Sequence, residues 1–199
     1  RDLHVRSRRQ RQMCIRDRYN VADVTVLMSS NEGWGLALTE SMMTGTMTIS
    51  NTTGGMQDQS RFEDENGEWI DFDSDFPSNH RGTYTKHGEW VLPVYPTNRG
   101  LMGSPLTPYI FDDRASAEDV AERMKEAFEL GKEERSKRGL KGREWAMSDE
   151  AMMTAGNMGN RVIEVLDKGF DSFTPRSEFD IVDSNDYKYN KVTHKLTDY

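Results

Sequence analysis

The stretch Val24-Thr-Val-Leu-Met-Ser-Ser30 is rich in β-branched and apolar residues, and it predicts a mostly buried strand within Val21–Ser30. Tyr19–Asp23 can close a preceding short helix, so the strand is expected to begin near Val24. Asn31–Gly35 carries two glycines two positions apart and predicts a turn. Leu36–Thr44 predicts a short helix with Leu36 and Met43 facing inward, and with Thr39 and Met42 as further inward candidates. Gly45 stands where a helix C-cap is expected. Thr46–Ser50 then reads as a second short strand and Asn51–Gly55 as a second turn. Strand, short helix and strand in so short a span favour parallel pairing through a right-handed crossover.

Residues 59–112 differ in character. They are crowded with Asp, Asn, Gly and Pro, with Trp69, Trp90 and Tyr95 in short extended pieces. They read as a loop-rich insertion with strands expected at Glu68–Phe72 and Trp90–Val94, because so long a structureless stretch is unusual in a compact domain. Ala117–Leu130 predicts a helix capped by Ser116, with Glu118 and Asp119 in the first turn, where acids suit the dipole. Val120, Met124, Ala127 and Phe128 form its apolar stripe. Lys132–Ala146 continues as a charged helical segment, and Met152–Gly169 adds a helix through Met158, Val162, Ile163 and Leu166. From Asp171 to Tyr199 the chain is a polar, weakly patterned tail.

Composition changes this picture in two places. The 199 residues are 35% hydrophobic, with a mean hydropathy of -0.83. No run approaches the roughly 18 to 20 apolar residues that span a bilayer, and the start lacks the apolar stretch of a signal peptide. Cys14 is the single cysteine, which excludes an internal disulfide and a cysteine-built metal site within one chain, and makes a cytoplasmic location the default expectation. The net charge of -8 is uneven: residues 1–18 hold seven arginines and two acids, a net of +5, so the other 181 residues carry -13. A basic arm for nucleic acid is one reading of that leader. The run Arg9–Arg18 instead resembles translated sequencing-adapter DNA, which implies that residues 1–18 are non-native and no nucleic-acid partner is expected. Residues 19–170 are then the domain proper.

The chemistry concentrates in Glu32-Gly33-Trp34-Gly35. In an open parallel sheet, ligands bind beyond the carboxyl ends of the strands. Gly33 and Gly35 let the backbone turn tightly and approach a ligand, and the free N–H groups of the helix starting near Leu36 form a diphosphate seat. Thr52-Thr53-Gly54-Gly55 places a second glycine turn at the next strand end. Glu32 leaves the first strand and Glu40 lies one to two helical turns on, eight residues later. Carboxylates accept paired hydrogen bonds from vicinal diols, so two of them suit the sugar and the ribose of a nucleotide sugar. Taken singly, each also fits a solvated turn or surface-helix residue.

Tyr19–Gln57, above all Glu32-Gly33-Trp34-Gly35-Leu36, Glu40-Ser41-Met42, Gly45-Thr46 and Thr53-Gly54-Gly55, resembles the nucleotide-sugar half of GT-B retaining glycosyltransferases, the large group of glycogen synthases, sucrose synthases and mannosyltransferases. The resemblance implies an α/β fold, a Rossmann-like parallel sheet forming the C-terminal half of such an enzyme. It implies transfer of a sugar from a nucleoside diphosphate to a carbohydrate or other hydroxyl acceptor, with retention. Glu32 would be the catalytic-site glutamate contacting the donor sugar, and Glu40 would hold the ribose. The backbone of Gly33, Trp34, Gly35 and Leu36 would meet sugar and pyrophosphate, Thr39 would lie beside the nucleotide, and Gly54 and Gly55 near the donor pocket. No cofactor and no metal are implied, since the helix dipole and basic side chains serve the leaving group.

Met28-Ser29-Ser30 and Met47 stand where family members commonly carry proline, which argues against a particular subfamily rather than the activity. The acceptor-binding domain and the basic pair that neutralises the diphosphate have no counterpart here, so the resemblance implies a fragment that is inert alone and exposes a strand edge. Arg99–Pro105 either faces the acceptor or is structural. Another nucleotide-sugar enzyme, such as an epimerase, and a non-catalytic nucleotide-sugar-binding module or partner subunit remain the rival readings.

Overall fold

The computed structural model describes residues 17–70 and 80–174. In chain order it contains β1 (Val24–Leu27), α1 (Leu36–Met43), β2 (Met47–Asn51), α2 (Met56–Ser60), β3 (Val91–Val94), β4 (Asn98–Leu101), β5 (Phe111–Arg114), α3 (Ala117–Glu129), α4 (Gly131–Ala146) and α5 (Ala155–Ser172). Strands β1, β2 and β3 lie side by side in that order and are parallel throughout, with Val26 opposite Ile49 and Ile49 opposite Leu92. β4 and β5 form a separate antiparallel pair. The fold is α/β with a Rossmann-like parallel sheet, as the pattern predicts.

The strand expected within Val21–Ser30 begins at Val24, after a helical turn at residues 17–21. The strand expected at Trp90–Val94 forms as β3 and pairs with β2, so residues 59–112 contribute the third strand of the sheet. The extended piece expected at Glu68–Phe72 is seen among the described residues as a single bridge between Glu63 and Trp69, and residues 71–79 lie outside them. Residues 1–16 of the arginine-rich leader and residues 175–199 of the polar tail also lie outside the described residues.

Burial on both faces of β2 explains why so short a sheet is stable. Met47 and Ile49 join Leu92, Val94 and Ala127 in one cluster, which faces α3. On the opposite side Met42, Trp90, Val91, Trp145 and Ala146 form a second cluster under α1 and α4. All five residues of β2 are buried, although Thr48, Ser50 and Asn51 are polar. Neighbouring groups satisfy several of these polar contacts: the Thr48 hydroxyl donates to the Trp90 carbonyl, and Ser41 bridges from α1 to the Thr25 hydroxyl and the Thr46 carbonyl. The Trp90 and Trp145 rings stack at 4.9 Å, with Trp69 edge-on to Trp145. Helix α4 approaches β2 closely enough that a Cβ on Gly139 would lie 2.0 Å from the Gly45 carbonyl oxygen.

Helix α1 turns a different face to the core than its apolar residues suggest. Leu38, Ser41 and Met42 are buried, Met43 is half-buried, and Leu36 is 69% exposed. The expectation of an inward Leu36 is therefore corrected. Leu36, Thr39, Glu40 and Met43 share one stripe of a 3.6-residue helix, and the Ser41 hydrogen bonds orient the opposite stripe inward. Helix α3 is capped as expected, with the Ser116 hydroxyl accepting from the Asp119 amide at 3.1 Å. Of its predicted stripe Ala127 is buried and Val120 half-buried, whereas Met124 and Phe128 stay exposed. They line an open groove of about 280 Å³ beside Val24, Val26 and Ile49, along the outer side of β1.

The chain divides into two compact units, residues 1–158 and 159–199. In the second, the described part is the length of α5 beyond Met158, where Val162, Ile163 and Leu166 stand exposed on an amphipathic helix. No helix among the described residues is long and apolar enough to cross a membrane.

Candidate functional site

Both glycine turns sit just past the C-terminal ends of β1 and β2, which parallel pairing brings side by side. They are packed against one another through backbone. The Gly55 amide donates to the Glu32 carbonyl at 3.2 Å. A Cβ on Gly54 would fall 2.0 Å from the Glu32 oxygen, and one on Gly55 would fall 2.3 Å from the Gly33 oxygen. The absence of side chains at Gly54 and Gly55 is thus required by the first turn itself. A sequence reading assigns those glycines to a ligand, whereas the contact that demands them is internal.

The first turn runs into α1 without a side-chain cap. Gly35 is the N-cap residue, with φ 83° and ψ 62°, and its carbonyl accepts from the Leu38 amide at 2.9 Å. Trp34 is partly exposed and its indole N–H donates to the Thr39 hydroxyl at 2.9 Å. Thr39 in turn donates to the Gln59 side-chain oxygen at 2.8 Å. The Gln59 side-chain amide donates to the carbonyls of Trp34 and Gly35, the latter at 3.3 Å. The structure therefore brings Glu32, Gly33, Trp34, Gly35, Leu36, Thr39, Gly54 and Gly55 into one neighbourhood.

Glu32 is half-buried at the exit from β1. Glu40 is exposed on α1 and hydrogen-bonds the Tyr19 hydroxyl. Burial raises the Tyr19 pKa, and the hydrogen bond and negative charge of Glu40 push it further the same way. The second carboxylate thus has a partner in the helical turn at residues 17–21, which is itself held by the Thr46 hydroxyl on the Tyr19 carbonyl at 2.9 Å.

The β4–β5 hairpin is fastened to the same ends of the sheet. Asp113 is fully buried, and its carboxylate accepts from the Thr53 hydroxyl at 2.7 Å. Its other oxygen lies 3.6 Å from Arg99 Nε, and the Arg99 guanidinium lies over the Phe111 ring. The Asp113 amide donates to the Ser30 carbonyl, while the Asn51 side-chain amide donates to the carbonyls of Ser29 and Asp113. Arg99, from the segment with two open readings, is in this structure a partner of a buried acid. Residues 101–110 of the hairpin are exposed.

Gln59, Asn51 and Asp113 escape a reading by motif. Each is an ordinary polar residue in sequence, and its part emerges only when distant segments meet. A weak signal exists for Gln59: it falls one turn after a glycine turn, in a helix too short to leave a polar residue on a free face. Among the described residues, no group of three or more His, Cys, Asp and Glu side chains is arranged to hold a metal ion.

Residues 9–76 match the family model described as glycosyl transferases group 1. The match spans about a third of the chain, starting inside the arginine-rich leader and taking in β1, α1, β2 and both glycine turns. It supports glycosyltransferase activity in general. A group 1 glycosyl transferase uses a sugar donor and an acceptor, and the matched span contains every residue the sequence singles out for the donor. No curated protein matches the chain.

Proposed function

We propose that this chain carries the nucleotide-sugar-binding part of a retaining glycosyltransferase, with GT-B organisation, that transfers a sugar from a nucleoside diphosphate to a hydroxyl acceptor. One observation carries the reading: the glycosyl transferases group 1 match falls on an uncapped helix start, flanked by Glu32 and Glu40, at the carboxyl ends of parallel strands.

In this reading the N–H groups of Gly33–Leu36 receive the diphosphate, where a helix N-terminus favours negative charge. Glu32 accepts hydrogen bonds from hydroxyls of the donor sugar and supports the positive charge that develops on its ring. Glu40 accepts from the ribose diol, exchanging its Tyr19 hydroxyl partner for ribose hydroxyls, and Thr39 borders the nucleotide. As the anomeric C–O bond breaks, charge grows on the departing diphosphate, and preorganised donors there stabilise the transition state. The acceptor oxygen bonds the anomeric carbon on the face the diphosphate leaves, and the departing phosphate oxygen takes the acceptor proton, so configuration is retained without a side-chain base.

Calorimetric titration with UDP, GDP and ADP and their sugar conjugates tests this. Binding of one nucleoside diphosphate, weakened tenfold or more by Glu40→Ala, is the expected result. Unchanged affinity in that variant removes the ribose role, and no binding by any of the three removes the donor reading.

A further inference from the structure

We infer that Gln59 is a positioning residue that aims the amides of the first glycine turn towards the ligand. The inference rests on the donor reading and deepens it, by assigning to α2 the task of orienting the diphosphate seat on α1.

Gln59 is 2% exposed, and no position at the mouth of the site needs an amide there for solubility. Each polar atom of its side chain is committed. Nε2 donates to the carbonyls of Trp34 and Gly35, and Oε1 accepts from Thr39, which itself accepts from the Trp34 indole. Its own carbonyl accepts from the Trp90 indole N–H at 3.1 Å. Trp90 is stacked on Trp145 in the core, so Gln59 is held from behind by a buried aromatic cluster.

The consequence follows from peptide geometry. In a trans peptide the carbonyl and the following N–H point in opposite directions, and no peptide among the described residues is cis. Drawing the Trp34 carbonyl inward to Gln59 turns the Gly35 N–H outward. Drawing the Gly35 carbonyl inward does the same for the Leu36 N–H. These are two of the groups that a helix start leaves without an intrahelical acceptor. An αL residue at Gly35 permits several orientations of its flanking peptides, and one side chain with two donor hydrogens selects one of them. Thr39 could not replace it, since a hydroxyl has a single donor hydrogen and is already spent on Gln59.

The test uses the full 199-residue chain with UDP, GDP and ADP as probes, comparing it with Gln59→Leu and Gln59→Glu. Gln59→Leu removes both donor hydrogens and is expected to weaken the bound diphosphate tenfold or more. Gln59→Glu sets a carboxylate against two carbonyls at pH 8 and regains a donor when protonated. Its affinity relative to the unsubstituted chain at the same pH should therefore recover on going to pH 5. Amide shifts of residues 33–37, measured without ligand, should move in both Gln59 variants while those of β3 stay in place. Unmoved turn amides, or diphosphate affinity in Gln59→Leu equal to that of the unsubstituted chain, would overturn the inference with the donor reading intact. Absence of nucleoside diphosphate binding by the unsubstituted chain would overturn both.

Discussion

Gly55 donates its amide to the carbonyl of Glu32, and the contact is so close that the two glycine turns share one packed backbone layer. The candidate catalytic glutamate is therefore positioned through its main chain by the second turn, independently of where its carboxylate points. This makes the geometry of β2's exit a determinant of the site on β1.

Gly54→Ala tests that dependence. The new methyl group would meet the Glu32 oxygen, and φ at this position is 51°, where a Cβ is disfavoured. A loss of about 3 kcal/mol or more in unfolding free energy is expected from urea denaturation, since both strain and overlap act together. A variant of unchanged stability would mean that the turns separate easily.

Thr53 and Asp113 should behave as a coupled pair. The bond is buried and its acceptor is charged, which places its contribution at about 1.5–3 kcal/mol. Thr53→Val removes a donor, while Asp113→Ala also strips Arg99 of a buried counter-charge and should cost about 3–5 kcal/mol. The double variant is expected to lose less than the sum of the two single variants. Strict additivity in such a cycle would show that the hairpin is not fastened through this contact.

Acid should destabilise the fold through His80. The side chain is 4% exposed, and burial pushes its pKa down from 6.5 to about 4. The folded value lies below the unfolded one, so as pH falls the unfolded chain takes up the proton first. Stability is whole above pH 6.5 and declines between 6.5 and about 4, by up to about 3 kcal/mol for this group. His87, also lowered chiefly by burial, acts in the same direction. His80→Gln should flatten the profile measured by thermal denaturation across that window; an unaltered slope would assign the acid sensitivity elsewhere.

Glu40→Gln should lower the Tyr19 pKa towards its ordinary 10.0, because the carboxylate contributes a hydrogen bond and a charge that raise it, while burial, the larger cause, remains. Ring-proton titration of Tyr19 by NMR reads this directly. A Tyr19 titration that does not respond would place the Glu40 carboxylate away from that hydroxyl. Bound nucleoside diphosphate should have the same sign of effect if ribose hydroxyls take over the carboxylate.

Much of the fold can be read along the chain because local rules decide it. The β-branched, apolar run at Val24–Leu27, the glycine turns, the Ser116 cap and the helical span of α3 are each settled within a few residues, and all appear in the structure. The two glutamates and the glycine turns are also visible in the sequence, and they carry the nucleotide-sugar reading that is proposed above. What tertiary structure decided is where each residue's partner lies. Ser41 is as short and polar as a surface residue, yet its bonds to Thr25 and Thr46 turn it inward and leave Leu36 in solvent. Trp90–Val94 sits amid loop-forming residues, and only pairing with β2 reveals it as part of the sheet. Gln59 and Asp113 carry no local pattern, since a buried polar residue is defined by acceptors and donors 20 or more positions away. Hydrophobic periodicity reports which side of an element avoids water. It carries no information on which polar groups will meet, and at this site those meetings set the geometry.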